Sequence, residues 1–305
     1  SQYSQIFVSY YINQRLKRKI SKLAKGVSIS NVYNSDLRKL EITLPTFEEQ
    51  QKIASFLAAV DKRIQLLKEK KKQLERYKRG VMQKVFSQEI RFKDEDGSDF
   101  PDWEENRLDD LYSFISTNSY SRENLNYEKG SIKNIHYGDI HTKFNSHFNI
   151  EKELVPFINE DIDLSKINEQ NYLQEGDLVI ADASEDYADI GKTIEVINLN
   201  DEKVLSGLHT LMARRKANEP IIGFAGHLMK NSALRREIMR IAQGTKVLSI
   251  STTRLGNLSI QMPCNEEQQK IASFLSSLDD SIQKSGNQIE ESSNLKKGLL
   301  QKMFV

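Results

Sequence analysis

Four polar stretches carry most of the side chains in this sequence that are suited to binding a ligand. They are Thr117–Arg122 (TNSYSR), Asn134–Lys143 (NIHYGDIHTK), Ala181–Lys192 (ADASEDYADIGK) and Gln243–Arg254 (QGTKVLSISTTR). Hydroxyl groups suit contact with phosphates, and guanidinium and imidazole groups add directed hydrogen-bond donors. Clusters of Ser, Thr and Gly are also typical of ordinary surface loops. The residues alone therefore leave both a binding surface and plain loops open.

No standard catalytic or cofactor motif occurs in the sequence. Asp182, Glu185, Asp186 and Asp189, followed by Lys192, have the residue types of a metal-dependent nuclease, but their spacing fits no such motif. The five histidines have no cysteine partners and no HExxH spacing, and neither GxGxxG nor GxxxxGK[ST] is present. We therefore expect neither a metal site nor a bound cofactor in this chain.

The two copies of a long repeat flank the region that contains the polar stretches. Leu44–Phe86 and Met262–Phe304 align without a gap, each residue matching the one 218 positions later, and both copies contain EEQQKIASFL. In the first copy, Thr46 and Glu49 form a capping box, and apolar residues then recur at alternating steps of three and four. This pattern predicts a helix of about 40 residues, roughly 60 Å long. Because each helix needs a partner for its apolar stripe, the two copies are expected to form an antiparallel coiled coil.

The two copies differ in charge. Between Lys62 and Lys84 there are ten basic residues and two acidic ones, whereas Asp279–Lys302 contains four of each. Pairs of opposite charge across the interface would select the partner and the register. The alternative is that the lysines form a solvated face.

The region between the copies predicts a globular α+β domain, so the fold class is α+β with this domain flanked by the two long helices. Turn-bounded apolar runs predict strands, and longer periodic runs predict helices. The predicted strands are Ser131–Ile140, Gly176–Ala181, Lys192–Ile197, His209–Ala213 and a short stretch in Lys246–Ser251, and the predicted helices are Pro220–Lys230 and Ser232–Ala242.

Composition excludes several classes of protein. The formal net charge of +1 over 305 residues excludes a uniformly basic nucleic-acid binder, although a locally basic face is compatible with it. Cys264 is the only cysteine, which excludes an internal disulfide framework and fits a reducing cytosol. No run of about 18 apolar residues and no signal peptide is present, so a cytoplasmic location is expected.

The repeated segment and the domain between its copies together resemble a known family. A PxxEEQQKIASFL segment leads a long helix that ends in GVMQKVF or GLLQKMF, and the duplicate follows a domain that opens with PDWEENRLDDL. This arrangement resembles the DNA-specificity (S) subunit of type I restriction-modification systems, a bacterial defence system, over essentially the whole chain.

The resemblance implies a DNA-binding scaffold without a catalytic centre. Each target-recognition domain would read one half of a split double-stranded DNA site, and the coiled coil would set the distance between the halves. Methyltransferase (M) subunits would bind this scaffold, and restriction (R) subunits would join through M. S-adenosylmethionine for adenine methylation, ATP and Mg are expected on those partner subunits, and none of them on this chain.

The resemblance also divides the chain into domains. Residues 47–88 and 263–305 would be the two conserved long helices, and residues 89–262 a complete target-recognition domain. Leu23–Ser30 and Leu37–Leu40 resemble Ile241–Ser251 and Leu255–Leu258. Residues 1–46 are therefore expected to be the C-terminal remnant of a first recognition domain, and the chain to be N-terminally truncated.

With the resemblance, the polar stretches become candidate DNA contacts. Asn134–Lys143 resembles the family's YGDI-type segment, and Gln243–Arg254 its Gly-Ser/Thr-rich loop. Ala181–Lys192 is expected to be a loop near DNA. The candidate DNA-binding residues are Ser119, Tyr120, Ser121, Arg122, His136, Tyr137, His141, Lys143, Ser184, Glu185, Tyr187, Gly244, Thr245, Lys246, Ser251, Thr252 and Arg254.

Two other functions remain open from the residues. A coiled-coil adaptor that binds only proteins would carry the same repeat, and an enzyme acting on DNA by itself would need turnover by the isolated chain. Because one recognition domain is complete, the chain alone is expected to read one half-site. Two copies could pair through their helices as a homodimer and read an inverted site.

Overall fold

The computed structural model describes residues 2–24, 31–216 and 220–304. The chain forms two compact units, one from Ser1–Tyr77 and Asp279–Val305 and the other from Lys78–Leu278. Two long helices, α4 (Phe47–Phe86) and α10 (Asn265–Met303), contribute residues to both units. Across the described residues, none of the helices combines the length and apolar character that a membrane span requires.

The repeat predicts both long helices correctly. Thr46 Oγ1 accepts a hydrogen bond from the Glu49 amide at 3.3 Å, as the capping box requires. The helix α4 ends where Gln88 adopts φ 60° and the Ile90 amide bonds to the Lys84 carbonyl at 3.2 Å, a left-handed C-terminal cap. The residues at the alternating three–four spacing form the seam of the predicted coiled coil, and none of them is exposed in either copy. In α4 this seam includes Ile53, Leu57, Ile64 and Lys78, and Lys78 is only 8% exposed.

The first unit contains short helices packed on the start of α4 and the end of α10. Phe7 is 2% exposed and its ring lies 5.2 Å from that of Phe304, in a cluster with Ala54 and Leu57. The beginning of α4 therefore lies beside the end of α10, as expected for an antiparallel pair. The short elements are α1 (Gln5–Tyr11), a π-helical turn (Ile12–Leu16), α2 (Lys17–Leu23) and α3 (Asn34–Leu37). Residues 25–30 of the Leu23–Ser30 match lie outside the described residues.

Within the first unit, most of the lysine-rich segment of α4 is a solvated face. In the first unit, Asp61 of α4 pairs with Lys296 of α10 at 2.6 Å, so the acid of this pair belongs to the lysine-rich helix. The basic residues between positions 62 and 76 are exposed, apart from the half-buried Lys71. Exposed pairs and solvated charges contribute little to stability.

The second unit is built on short strands and helices around two main sheets. The strands are β1 (Glu104–Arg107), β2 (Tyr112–Ile115), β3 (Leu125–Asn126), β4 (Lys133–Ile135), β5 (His147–Asn149), β6 (Phe157–Ile158), β7 (Leu178–Ala181), β8 (Ala183–Ser184), β9 (Thr193–Asn198), β10 (Val204–Ser206), β11 (Thr210–Arg215), β12 (Leu248–Ser249) and β13 (Ser259–Met262). The helices are α5 (Leu108–Leu111), α6 (Tyr137–Thr142), α7 (Ala225–Leu228), α8 (Ser232–Ile241) and α9 (Thr252–Gly256).

The larger sheet has the order β2-β11-β7-β9-β5, and the smaller has the order β10-β4-β6-β3. Side chains alternate along β7, so Leu178 and Ile180 enter one core while Val179 and Ala181 enter a second core on the opposite face. Because both faces are covered, the four residues of β7 are all buried. This strand is the rigid base for the polar loops that follow it.

The end of α4 and the start of α10 belong to the first of these cores. Val85 and Ile271 are buried in it, and the ring of Phe86 lies 5.9 Å from that of Phe224. Gln268 accepts the Ile221 amide at 2.9 Å, just as Gln50 accepts the Ser4 amide at 3.0 Å in the first unit. Both units therefore use the same repeated glutamine to hold a neighbouring segment.

A buried carboxylate anchors the start of the region between the two long helices to α10. Glu267 is fully buried, accepts from Arg91 Nη2 at 2.7 Å, and accepts from Trp103 Nε1 at 2.9 Å. Its repeat counterpart, Glu49, is exposed. The same glutamate thus has different environments in the two copies.

Two sequence predictions of secondary structure are wrong in part. The strand predicted over Ser131–Ile140 ends at Ile135, because His136 caps the helix α6 instead of continuing the strand. The helix predicted over Pro220–Lys230 is limited to Ala225–Leu228, and the preceding Gly223 adopts φ 92°, which interrupts a helical path.

Candidate nucleic-acid interface

The helix α6 is fixed by the histidine that precedes it. His136 Nδ1 accepts the Gly138 amide at 3.1 Å, which caps the helix. The His136 side chain is 6% exposed, and burial, assisted by the nearby Arg122 charge, lowers the pKa of His136 to about 4. At neutral pH His136 is uncharged, so its observed role is to position α6.

A buried carboxylate holds two cations at the surface. Asp139 is fully buried and accepts from Arg122 Nη2 at 2.7 Å and from Lys143 Nζ at 2.8 Å. Burial alone would raise the pKa of Asp139, but the hydrogen bonds from the two cations bring it below its ordinary value. Lys143 also donates to the Tyr127 hydroxyl at 2.9 Å. The carboxylate stays ionised and sets Arg122 and Lys143 side by side.

Three imidazoles surround the ring of Tyr137. The ring centroids of His136, His141 and His209 lie 4.6, 5.7 and 5.3 Å from that of Tyr137. His209 has φ 54°, and its Nδ1 lies 3.4 Å from Asp182 Oδ1 while half of its side chain is exposed. An exposed imidazole held from two sides is suited to directed hydrogen bonding.

The paired strands β8 and β12 connect the third polar stretch, Ala181–Lys192, and the fourth, Gln243–Arg254, to the rings around Tyr137. His141 Nε2 lies within hydrogen-bonding distance, 3.1 Å, of the Ala183 carbonyl, and the next residue, Ser184, pairs with Leu248. Gly244 adopts φ 126°, and a Cβ there would lie 2.0 Å from the Val247 carbonyl oxygen, so the turn before β12 requires glycine. These contacts thus bring residues of the second, third and fourth stretches, which are far apart in sequence, next to one another.

The candidates on β8–β12 and the loops beside it divide into exposed and structural residues. Glu185, Tyr187, Thr245 and Lys246 are exposed. The Ser184 hydroxyl, by contrast, is buried and accepts the Asp186 amide at 3.0 Å.

The end of the fourth stretch is organised by the short helix α9. Ser251 Oγ accepts the Arg254 amide at 3.3 Å and caps the helix. The exposed Arg254 donates to the Ile241 carbonyl at 3.2 Å, and Thr252 is half-buried. These bonds hold Arg254 at the surface.

Only part of the first polar stretch, Thr117–Arg122, contacts the residues around Tyr137. Arg122 joins the Asp139 group, but the Tyr120 hydroxyl donates to the Asp163 carbonyl at 3.3 Å in another loop. The Ser121 hydroxyl bonds to Asn124 within its own turn, and Ser119 is exposed. Arg122 is therefore the residue of this stretch that the fold brings to the Tyr137 side.

Sequence reasoning missed four residues of the surface. Asp139 and Tyr127 orient the two cations, His209 packs against Tyr137, and Asp182 pairs with His209. Asp139 stands inside the quoted YGDI segment, so that segment contained the signal. His209 is brought to Tyr137 by the turn between β10 and β11, and the sequence has no local pattern that indicates this.

The acidic residues of Ala181–Lys192 have separate local partners. Asp189 pairs with Lys192 at 2.6 Å, the Asp186 carboxylate accepts the Ala188 amide at 2.8 Å, and Asp182 faces His209. Glu185 is exposed. The arrangement is that of a structured loop at the edge of the polar surface.

The fold class is a mixed α+β domain between two long helices. Residues 5–76 and 101–291 match the family described as the type I restriction modification DNA specificity domain. The chain belongs to this family, a non-catalytic class of subunits whose role is DNA sequence recognition within restriction-modification assemblies.

Curated relatives carry the same designation. The chain is 28% identical over 313 aligned positions to the type I restriction enzyme MjaVIII specificity subunit of Methanocaldococcus jannaschii, covering 98% of this chain and 70% of that protein. A shorter match, 36% over 87 residues, relates it to the putative type I restriction enzyme MjaX specificity subunit of the same organism, with 28% of this chain and 20% of that protein covered.

Solved structures share the fold. The type I restriction-modification S subunit from M. genitalium matches with a TM-score of 0.62 at 18% identity, covering 98% of this chain and 72% of that one. The HsdS subunit from Thermoanaerobacter tengcongensis matches with a TM-score of 0.52 at 18% identity, covering 98% and 69%. The predicted α+β class with paired long helices is thereby confirmed.

Proposed function

We propose that this chain reads one half of a bipartite DNA site with the polar surface around Tyr137, while its long helices carry methyltransferase subunits and set the distance between recognition domains. The observation that carries the proposal is the convergence of the second, third and fourth polar stretches, with Arg122 from the first, on one surface of the second unit. In this scheme residues 89–262 are the complete recognition domain, residues 47–88 and 263–305 are the spacer helices, and residues 1–46 are part of a first recognition domain.

The side chains of this surface suit different parts of DNA. The side chains of Arg122 and Lys143 are 41% and 48% exposed and are held by Asp139, so they can meet phosphates without ordering themselves on binding. Arg122 can also pair with a guanine edge in the major groove. His209 is held by Tyr137 and Asp182 and can reach a base edge. Lys246 and Arg254 extend the positive surface along the neighbouring loops.

Exposed apolar residues on the long helices support binding of protein partners. Phe56, Leu66 and Leu295 are 47%, 54% and 56% exposed. Large apolar side chains left in water are compatible with a surface that another protein covers. We assign this surface to methyltransferase subunits, with restriction subunits joining through them and with S-adenosylmethionine, ATP and Mg held by those partners in the cytoplasm.

Methylome sequencing of cells expressing the complete system tests the recognition role. The expected result is adenine methylation at a bipartite motif, one half of which changes when residues 89–262 are exchanged for those of a relative. A methylated motif that stays unchanged after the exchange would refute the assignment.

Two further measurements separate the alternatives. In a mobility-shift assay, the chain with its methyltransferase partner should retain duplex DNA more tightly than the partner alone, whereas a protein-only adaptor would add nothing. Light scattering reports whether two copies pair through their helices, and a strict monomer that binds one methyltransferase would exclude the homodimer.

A further inference from the structure

Beside the proposed reading surface lies a cavity of about 470 Å³ between α6, the β8–β9 connection and the start of α8. Four basic residues line it, and none of the described lining residues is acidic. The lining also offers hydroxyl and amide groups from Thr142, Asn145, Ser146 and Thr193. We call this space the basic cavity, and its basic residues are Lys143, Lys192, Lys230 and Arg235.

Arg235 is the clearest sign that the basic cavity is built for an anion. Its guanidinium donates to the carbonyls of Gly191 at 2.7 Å, Ile190 at 2.7 Å and Ala188 at 3.1 Å. Among the described residues, none of its hydrogen bonds goes to a carboxylate, although the nearby Asp189 charge offsets part of its positive charge. Burial accordingly lowers the pKa of Arg235, because the charged form loses solvation. An anion in the cavity would add to the negative charge that stabilises this guanidinium.

Lys192 is fixed toward the same space. Its ammonium group donates to the His141 carbonyl at 2.9 Å and pairs with Asp189 at 2.6 Å. Lys143 is likewise held by Asp139 at 2.8 Å. Ammonium groups that are already oriented lose little side-chain entropy when a ligand binds. The cavity is thus preorganised for a tetrahedral oxyanion, which accepts from several donors at once.

We propose that the basic cavity binds a phosphate of the DNA backbone adjacent to the half-site. This inference rests on the proposed function, because His141 and Lys143 line the cavity and also belong to the reading surface. A duplex whose bases face Tyr137 and His209 would bring its sugar–phosphate strand past these two residues. The contact adds affinity for any DNA sequence and fixes the register in which bases are read.

The test measures the binding of a random-sequence duplex by fluorescence anisotropy over a range of salt concentrations, for the chain in complex with its methyltransferase partner. The variant is Lys192→Gln combined with Lys230→Gln. Loss of one phosphate contact should reduce the slope of log K against log salt by about 0.9. Loss of its charge-assisted hydrogen bonds should weaken binding roughly ten-fold at low salt.

A matched control removes two lysines elsewhere in the same unit, Lys93→Gln with Lys203→Gln, both more than half exposed and each paired with a carboxylate. The control should keep the wild-type slope. Lys230→Glu alone, at an exposed position, serves as a second cavity variant if the double variant melts early. Equal slopes and affinities for the cavity variants and the control would overturn the proposal.

Other outcomes show whether the cavity takes a free phosphate instead of DNA, and whether the proposed function itself fails. If inorganic phosphate raises the melting temperature of the wild type but not of the cavity variant, while DNA binding is equal, the cavity takes a free anion and the proposal fails. If the wild-type complex shows no DNA binding beyond that of the methyltransferase alone, the proposed function itself fails. Weakened DNA binding only in the cavity variants supports both.

Discussion

The repeat allows one residue to be tested in two environments, because Glu49 and Glu267 occupy the same position in EEQQKIASFL. We predict that Glu267→Ala destabilises the second unit while Glu49→Ala is nearly neutral. Glu267 is fully buried and its carboxylate accepts from Arg91 at 2.7 and 3.3 Å and from Trp103 at 2.9 Å. Glu49 is exposed.

The magnitude follows from what the substitution leaves behind. Removing one partner of a buried ion pair costs about 3–5 kcal/mol because the other charge remains desolvated. The Arg91 side chain is 22% exposed and its Nη2 also donates to the Pro101 carbonyl at 2.6 Å, so the low end, about 3 kcal/mol, applies. With a urea m-value of about 2 kcal/mol/M, the unfolding midpoint should fall by about 1.5 M.

The assay is urea unfolding followed by the fluorescence of Trp103, the only tryptophan of the chain, together with far-UV circular dichroism. Trp103 belongs to the second unit and is 8% exposed, so its emission reports that unit directly. Glu49→Ala should change the free energy of unfolding by no more than about 0.5 kcal/mol. Equal midpoint shifts for the two variants, or a shift below about 0.5 M for Glu267→Ala, would refute the reasoning.

Three further predictions concern the reading surface. Asp139→Asn should lower the free energy of unfolding by about 2 kcal/mol at pH 7, a value reduced for the partial exposure of both cationic partners. Since the folded-state pKa of Asp139 is lowered, its contribution exists above the unfolded pKa and is lost as pH falls through the folded value, so the difference should shrink below about pH 4 in urea titrations. His209→Ala should weaken binding of the methylome-defined half-site by about 1–3 kcal/mol and leave random DNA unaffected in competition assays. Lys246→Ala with Arg254→Ala should weaken binding of all sequences and flatten its salt dependence.

Each of these three predictions would be contradicted by a particular result. A stability difference for Asp139→Asn that is constant from pH 7 to pH 3 would show that the carboxylate charge is not the cause. Equal losses of specific and random binding in His209→Ala would assign that residue to the backbone. Unchanged affinity and salt slope after the Lys246 and Arg254 substitutions would remove the fourth stretch from the interface.

The long helices were predictable because their signal is local and repeated. The apolar spacing and the capping box at Thr46 each depend on residues a few positions apart. The identical decapeptides repeat this local signal at the start of the second helix, so the sequence defines both helices directly. The sheet order was not predictable in this way. The pairing of β10 with β4 and of β5 with β9 is parallel and joins residues far apart, which no local pattern specifies.

The residues of the candidate site were likewise predictable only where the signal is local. Arg122, Tyr137 and Lys143 could be selected by residue type, since exposed donors and aromatics suit DNA contact. The helix over Tyr137–Thr142 was not predicted because His136, which caps it, is not one of the residue types usually found at a helix N-cap. His209 depends on a left-handed backbone turn, a tertiary property that its sequence neighbours do not reveal.

The duplicated glutamine contacts have a consequence for how the chain reaches its native state. Gln50 and Gln268 each accept a backbone amide, from Ser4 and Ile221, and a phenylalanine lies close to each of those amides and packs on the end of a long helix. Two nearly identical docking points invite a segment to dock on the wrong one, a kinetic trap typical of repeated sequences. The contacts that differ between the units can reject the wrong segment. The hydrogen bond between Glu267 and Trp103 can form only near the docking point at Gln268. Glu267→Ala should therefore slow refolding and populate a misdocked intermediate.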